Sequence, residues 1–230
     1  MSIKLYELCG ADENHLFSPH CWKTRMSLAH KGLDFSSLPT SFTQVPKIEG
    51  GATKAVPLMR DGDTLLSDSY EIAKYLENTY PDAPTLFGGE GGMALTNFVI
   101  NWSQSQLHPL IGGLAMKDIY DILADEDQAY FRKDREAKIK MTLEELHAGR
   151  EGKVAMLNKA LLPLKLMLKG QPYIGGESPL FADYVVFGAL QWMRMTCTIP
   201  VLAEDGEVAD WFNRLLDMYD GMGRAAKAAT

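Results

Sequence analysis

Ile3 and Leu5 alternate with Lys4 at the start of "IKLYEL", residues 3–8, which reads as an amphipathic strand with a two-residue period. The period then changes. Over residues 18–31, Cys21 and Leu28 share one side of a helix and Trp22, Met26 and Ala29 another, and Gly32 stands where a helix end favours a left-handed residue. "LDFSSL" reads as a second short strand. A loop rich in Gly, Thr and Pro runs from about Pro39 to Val56 and leads into "VPLM", a turn at Asp61-Gly62 and "TLL", the pattern of a hairpin. "SYEIAKYLENTYP" predicts a helix with Ile72, Tyr75, Leu76 and Tyr80 on its inward face, closed by Pro81. The order is βαβ followed by ββα.

The texture changes after "DAPTLFGGEGG", residues 82–92, whose prolines and glycines mark a linker. Helical spacing dominates the rest and predicts helices at about 93–124, 126–150, 153–169, 182–196 and 207–219. Pro109 and Pro163 should bend or interrupt two of them, and the short Ala-rich tail should fray. The expected division is an α/β domain over 1–82, a linker over 83–92 and an all-helical domain over 93–230. A cleft between two such domains is the default place for a ligand.

Composition narrows the picture by exclusion. Apolar and charged fractions of 46% and 23% are those of a soluble globular chain. A formal net charge of −7 argues against nucleic-acid binding, which leaves a basic footprint. Three scattered cysteines, Cys9, Cys21 and Cys197, provide neither a disulfide framework nor a metal-ligand cluster, and fit a reducing compartment. No run approaches the roughly 18 apolar residues of a membrane span. The N-terminus lacks the basic and apolar regions of a signal peptide. The expected location is therefore cytoplasmic.

Three stretches carry candidate chemistry. Ser18-Pro19 opens the first helix with serine at the N-cap and proline at the first helical position. Taken alone this is a cap. A helix N-terminus also holds free N–H groups and partial positive charge, which stabilise a thiolate and lower its pKa below the free value of about 8.5. Ser18 is no thiol, but its hydroxyl can donate to a thiolate brought by a ligand. The roughly 2.7 kcal/mol behind a hundredfold change in ionisation is within reach of a dipole plus one or two charge-assisted hydrogen bonds. Both readings of Ser18 stand at this stage. In "LLSDSYEIAKYL", Asp68 and Ser69 fall between strand and helix, and Glu71 completes an Asp-x-x-Glu pattern. That stretch reads as a second cap or as a second N-terminus able to hold a carboxylate. In "AVPLM", Pro57 lacks an N–H for the sheet, leaving the backbone of Val56 available to an extended peptide.

Taken together, βαβ-ββα, a Val-Pro strand, an acidic-Ser step into a helix, a linker and a helical domain resemble the cytosolic glutathione S-transferases over nearly the whole chain. The resemblance implies a thioredoxin-like N-terminal domain with a cis proline at Pro57, an all-α C-terminal domain, and glutathione as co-substrate. It implies that Val56 pairs with the cysteinyl backbone, that Asp68 and Ser69 hold the γ-glutamyl end, and that Gln44 and Lys54 reach the glycyl carboxylate. Ser18 then stabilises the thiolate as the catalytic residue. The family also has a tyrosine variant, and Tyr6 is the competing candidate, but it lies twelve residues before Ser18, a longer run than that variant usually shows. Cys21 occupies the resolving position of a C-x-x-C motif whose first place is taken by Ser18. "SPLFADYVVFGAL" resembles the family's helical capping motif, with Asp183 in place but Leu180 at the cap.

"SPHCWKTRMSLAHKGLDF", "AGREG", "FADY" and "DGMGR" are more specific, and resemble the bacterial β-etherase-type transferases and their fungal relatives. That branch implies a thiolate displacing an aryloxide beside a carbonyl. The acceptor pocket implied for a small hydrophobic, aromatic electrophile is Phe17, Trp102, Gln106, His108, Met116 and Tyr120, with His15 and Trp192 nearby. His108, beside Pro109, is the candidate hydrogen-bonding group for a carbonyl or leaving oxygen. "RKDREAK" reads as a solvated helix face. The family implies a homodimer, with no metal, nucleic acid or membrane as partner. Two other functions remain open: a non-catalytic glutathione or aromatic-ligand binder, and a thiol transferase working through Cys21 or Cys9.

Overall fold

The computed structural model describes residues 2–229. Strands β1 (Ile3–Leu8), β2 (Phe35–Thr40), β3 (Leu58–Asp61) and β4 (Thr64–Ser67) form one sheet in the order β2-β1-β3-β4. β1 and β2 run parallel, Ile3 opposite Phe35, joined by the crossover helix α1 (Pro19–His30). β3 returns antiparallel to β1, with Tyr6 opposite Leu58, and the β3–β4 hairpin turns at Asp61 and Thr64. α2 (Ser69–Thr79) completes this half. The alternation read in β1 buries Ile3 and Leu5 on the core face. Glu7 falls on the same face and is held there by Arg25 and Ser37. The Val56–Pro57 peptide is cis.

The helical half contains α3 (Glu90–Trp102), α4 (His108–Asp121), α5 (Asp125–Ile139), α6 (Leu143–Ala148), α7 (Glu151–Ala160), α8 (Leu162–Leu168), α9 (Phe181–Thr196) and α10 (Glu207–Ala225). Several expected helices are broken, each for a local reason. Pro109 has no N–H to donate and its ring crowds the carbonyl four residues back. The chain answers with a wide π-type turn, Ser103–Leu107, in which the His108 N–H reaches back five residues to the Ser103 carbonyl. The span 126–150 divides where Lys140 takes a left-handed conformation, φ 57°, and Thr142 and Glu145 form a reciprocal capping box for α6. Pro163 sits in the first turn of α8 and separates it from α7. α10 runs past residue 219 across a kink at Met218–Gly221.

One core runs through both halves, from Leu5, Met26 and Ile72 to Phe187, Leu190 and Trp211. Its centre is α9, buried along almost its whole length and packed against α1. The approach depends on Gly188. A β-carbon there would stand 2.4 Å from the Pro19 carbonyl oxygen. Leu180 has no side-chain acceptor for the α9 cap, so the missing half of that box is made by backbone: the Asp183 N–H donates to the Leu180 carbonyl at 2.9 Å. The Asp183 carboxylate does the rest. Fully buried, it accepts from the N–H groups of Ile174 (2.7 Å), Gly175 (2.9 Å) and Leu180 (3.0 Å) and from Trp211 Nε1 (2.8 Å).

Candidate active site

The N-terminus of α1 opens onto a cavity of about 390 Å³ between the two halves. The α/β half brings Phe17, Ser18, His20, Lys54 and Val56 to its wall, and the helical half brings His108, Met116, Phe131 and Trp192. Ser18 is the N-cap of α1 and is 4% exposed. Its Oγ accepts from the Cys21 N–H at 3.3 Å, while its own O–H donates to no oxygen or nitrogen among the described residues and has only the Cys21 thiol beside it. The serine thus caps with its lone pair and keeps a proton to donate. Val56 lies two residues before Leu58, the first paired residue of β3.

The other expected residues are distributed unevenly. Asp68 and Ser69 form the head of α2, where Asp68 Oδ1 accepts from the Tyr70 N–H (2.8 Å) and the Glu71 N–H (3.1 Å). Asp68 holds φ at 75°, a conformation that side chains rarely adopt. Both stand outside the cavity wall. Lys54 lines the cavity, whereas Gln44 caps the turn Val45–Gly50 and faces a shallow recess with Tyr6 and Leu38. Tyr6 is engaged there: its hydroxyl donates to Glu49 at 2.7 Å, and that bond raises its pKa. It does not reach Ser18's cavity.

Of the acceptor-pocket residues, Phe17, His108, Met116 and Trp192 line the cavity, and Trp102, Gln106 and Tyr120 do not. Trp102 lines a small apolar recess with Phe98 and Met167, and Gln106 is exposed. Tyr120 lies under the Arg132 guanidinium, 4.4 Å from its ring centre. His15 is buried, with Nε2 2.9 Å from the Met195 carbonyl, and its ring meets Phe17 edge-on outside the cavity wall.

The His108 Nδ1 lies 3.1 Å from the Ser103 carbonyl, which can only accept, and 3.2 Å from the Ser103 hydroxyl, which can accept or donate. A lone pair there would face the carbonyl's own, so a proton on Nδ1 of the neutral ring suits both contacts. Nε2 is bare, buried and without a partner among the described residues. Burial, aided by the charge of Lys23, pushes the His108 pKa down to about 4. As a neutral ring His108 has no proton to give to a substrate oxygen.

Sequence reasoning missed part of the wall. Tyr130, Phe131, Asp134, Arg135 and Lys138 of α5 form the mouth, so "RKDREAK" turns one edge to the cavity. The available signal was the i,i+4 pairing of Phe131 with Arg135 and of Asp134 with Lys138. Arg135 lies over Phe131 at 5.0 Å, and Lys138 Nζ donates to Asp134 at 2.9 Å. His20 and Lys23 were also missed.

The cysteines face away from this chemistry. Cys9, Cys21 and Cys197 are buried free thiols. Burial pushes Cys9 up to about 11 and Cys21 to about 12, the nearby acids Glu13 and Glu7 adding to the respective shifts. Among the described residues no group of His, Cys, Asp or Glu is placed to hold a metal ion, and no helix is long and apolar enough to cross a membrane.

A thioredoxin-like sheet joined to a helical half, with a helix N-terminus open to the cleft between them, defines the class of fold. Comparison with known proteins gives the family. Residues 14–84 match the model of the glutathione S-transferase N-terminal domain and residues 94–218 that of the C-terminal domain. The chain belongs to the glutathione S-transferase family. It is 26% identical over 204 residues to the glutathione S-transferase-like protein ustS of Aspergillus flavus, covering 76% of this chain and 74% of that one. A zeta-class glutathione S-transferase of Euphorbia esula is 26% identical over 139 residues, 58% of this chain and 62% of that one. The chain therefore spans less than two thirds of that plant relative. Among solved structures, glutathione transferase GSTFuA3 of Phanerochaete chrysosporium superposes with a TM-score of 0.76 at 26% identity, over 98% of this chain and 94% of that one. CsGST63524 of Ceriporiopsis subvermispora, solved in complex with glutathione, gives 0.79 at 20% identity, over 96% and 97%, a likeness of fold.

Proposed function

We propose that the chain is a glutathione-conjugating enzyme in which Ser18 stabilises the glutathione thiolate for attack on a hydrophobic, aromatic electrophile. The observation that carries this reading is the Ser18 hydroxyl. It is fixed at a helix N-terminus, keeps its proton free, and faces a largely apolar cavity shared by both halves. A thiolate at that point gains the partial charge of α1 and one charge-assisted hydrogen bond. Val56 and Pro57 then offer backbone to the cysteinyl residue, Asp68 and Ser69 take the γ-glutamyl end, and Lys54 takes the glycyl carboxylate. Phe17, Met116, Phe131 and Trp192 supply the apolar wall for the second substrate. At its narrowest the reading is β-aryl ether cleavage, with the thiolate attacking the carbon beside a carbonyl and an aryloxide leaving.

The test is thiolate formation. Glutathione added to the protein near neutral pH should give the ultraviolet thiolate band, and Ser18→Ala should remove both the band and conjugation. A wild-type protein that binds glutathione without ionising it is a ligand binder. Conjugation that survives Ser18→Ala removes the serine from its assigned role. The thiol-transferase alternative finds no support in two buried thiols with raised pKa values.

The homodimer belongs to the same proposal. Phe98 on α3 is 69% exposed, and Leu162 and Leu166 on α8 are 47% and 56% exposed, apolar surface that a second copy would cover. Sedimentation should give a dimer for the wild type and a monomer for Phe98→Glu. A monomeric wild type, or a variant that still pairs, removes this interface.

A further inference from the structure

The first turns of α1 hold a polar pair that the assignment above leaves unused. Lys23 is 2% exposed. Its ammonium has one hydrogen-bond partner among the described residues, His20 Nδ1 at 3.2 Å. An ammonium can only donate, so Nδ1 is the bare nitrogen of His20 and the neutral ring carries its proton on Nε2. His20 is therefore the reverse of His108, whose proton is on Nδ1. The two rings stack, centroids 5.4 Å apart and planes 24° apart, and His108 in turn lies 5.9 Å from Trp192. Elements α4 and α9 thus hold the plane of a ring carried by α1. The ring lines the same cavity as Ser18, and its Nε2–H has no acceptor among the described residues.

We propose that His20 is the general acid of the transfer and Lys23 the positioning residue that resupplies its proton, so that the site suits electrophiles whose leaving group is a basic oxygen. This rests on the glutathione reading above. In the step, the thiolate forms the C–S bond as the C–O bond breaks, and its electron pair goes to oxygen. The oxygen takes the proton from His20 Nε2 while Nδ1 takes one from the Lys23 ammonium. The imidazole stays neutral throughout and the lysine is left as an amine. The cycle closes when a solvent proton enters at Nε2 from the cavity and Nδ1 returns its proton to the lysine.

The electrostatics agree with that direction of flow. Burial lowers the Lys23 pKa to about 8, partly offset by Asp68. Burial and the charge of Lys23 hold His20 well below the usual histidine range, so it does not store a second proton. The titratable groups facing the pair are His108 from α4 and Asp68 at the head of α2. Where α9 approaches Lys23 it presents Gly188, which brings no charge.

Two substrates with one electrophilic carbon test the relay: phenacyl bromide, whose bromide leaves without a proton, and phenacyl phenyl ether, whose phenoxide needs one. His20→Phe should lower the ether-to-bromide ratio of kcat/KM about 100-fold, within the range of general acids. Lys23→Met should lower the same ratio. Ether turnover in the wild type should fall as pH rises through about 8 and Lys23 loses its proton. Lys23→Arg, whose guanidinium keeps the charge but does not give up a proton near neutral pH, should lower the ratio as Lys23→Met does, which separates proton supply from charge and keeps a test available if His20→Phe does not fold. An unchanged ratio in these variants, wild-type ether turnover with no fall above a pH of about 8, or a wild type that consumes the bromide and no ether overturns the proposal. Thiolate formation measured on the same proteins separates the two claims. No thiolate in the wild type fails the transferase reading, whereas a normal thiolate with an unchanged ratio fails only the relay.

Discussion

Two buried polar clusters in this molecule have opposite character. Around Asp183 every partner is present: one carboxylate takes three backbone N–H groups and an indole N–H. Around Ser18, His20 and His108 the partners run short. A hydroxyl and an imidazole keep undelivered protons, and a second imidazole keeps a bare lone pair. A buried polar group without a partner costs about 1–3 kcal/mol, so the first cluster contributes stability and the second forgoes it. The unpaired groups line the cavity between the halves, where a ligand can complete them. The contrast teaches where to look for chemistry: among the polar groups the fold leaves open.

The sharpest way to break the comparison is to open the closed cluster. Asp183→Ala should cost about 3–5 kcal/mol of stability by stranding four donors, read as a fall in the denaturation midpoint. A loss below 1 kcal/mol would mean that the cluster is not the anchor of α9. Closing the open cluster should do less to the fold and more to the thiolate. Ser18→Ala removes a charge-assisted hydrogen bond of about 1.5–3 kcal/mol, read as a raised pKa of bound glutathione, with about 1 kcal/mol of stability from the lost cap.

The smallest effect sharpens the comparison within α1 itself, whose Cys21 face is closed. Its folded pKa of about 12 lies above that of the unfolded thiol, so the native state keeps a proton that the unfolded state releases. The stability this contributes is complete below the ordinary thiol pKa and is lost as pH rises toward 12. Cys21→Ala should flatten the alkaline fall in stability, and an unchanged slope would assign that fall to other groups.

Much of the fold was legible because its signals are local. The period of "IKLYEL", the proline after Val56 and the serine-proline start of α1 each depend on few neighbours. Part of the site was not. Lys23 reads as a solvent-facing residue on a short helix, and only the packing of α9 across α1 buries it beside His20. The face assigned from Trp102 to Tyr120 assumed one continuous helix. The wide turn before Pro109 adds to the count of residues between Trp102 and His108, so positions before it lose register with those after it. Past the turn the wall runs through His108, Met116 and Ile119 and leaves Tyr120 outside. The break before α6 had a local signal that the single helix expected over 126–150 passed over: Thr142 and Glu145 carry the spacing of a capping box.

The missing side chain at Gly188 has a consequence for how such chains can be recombined. Since a β-carbon there would meet the Pro19 carbonyl at 2.4 Å, a helical half borrowed from a relative is compatible with this N-terminal half only if it brings glycine to that place. Any larger residue would lift its longest buried helix off the serine-proline turn, and Ser18 would be the first group displaced. The two halves share one inheritance, and position 188 is where a mismatched parent would show.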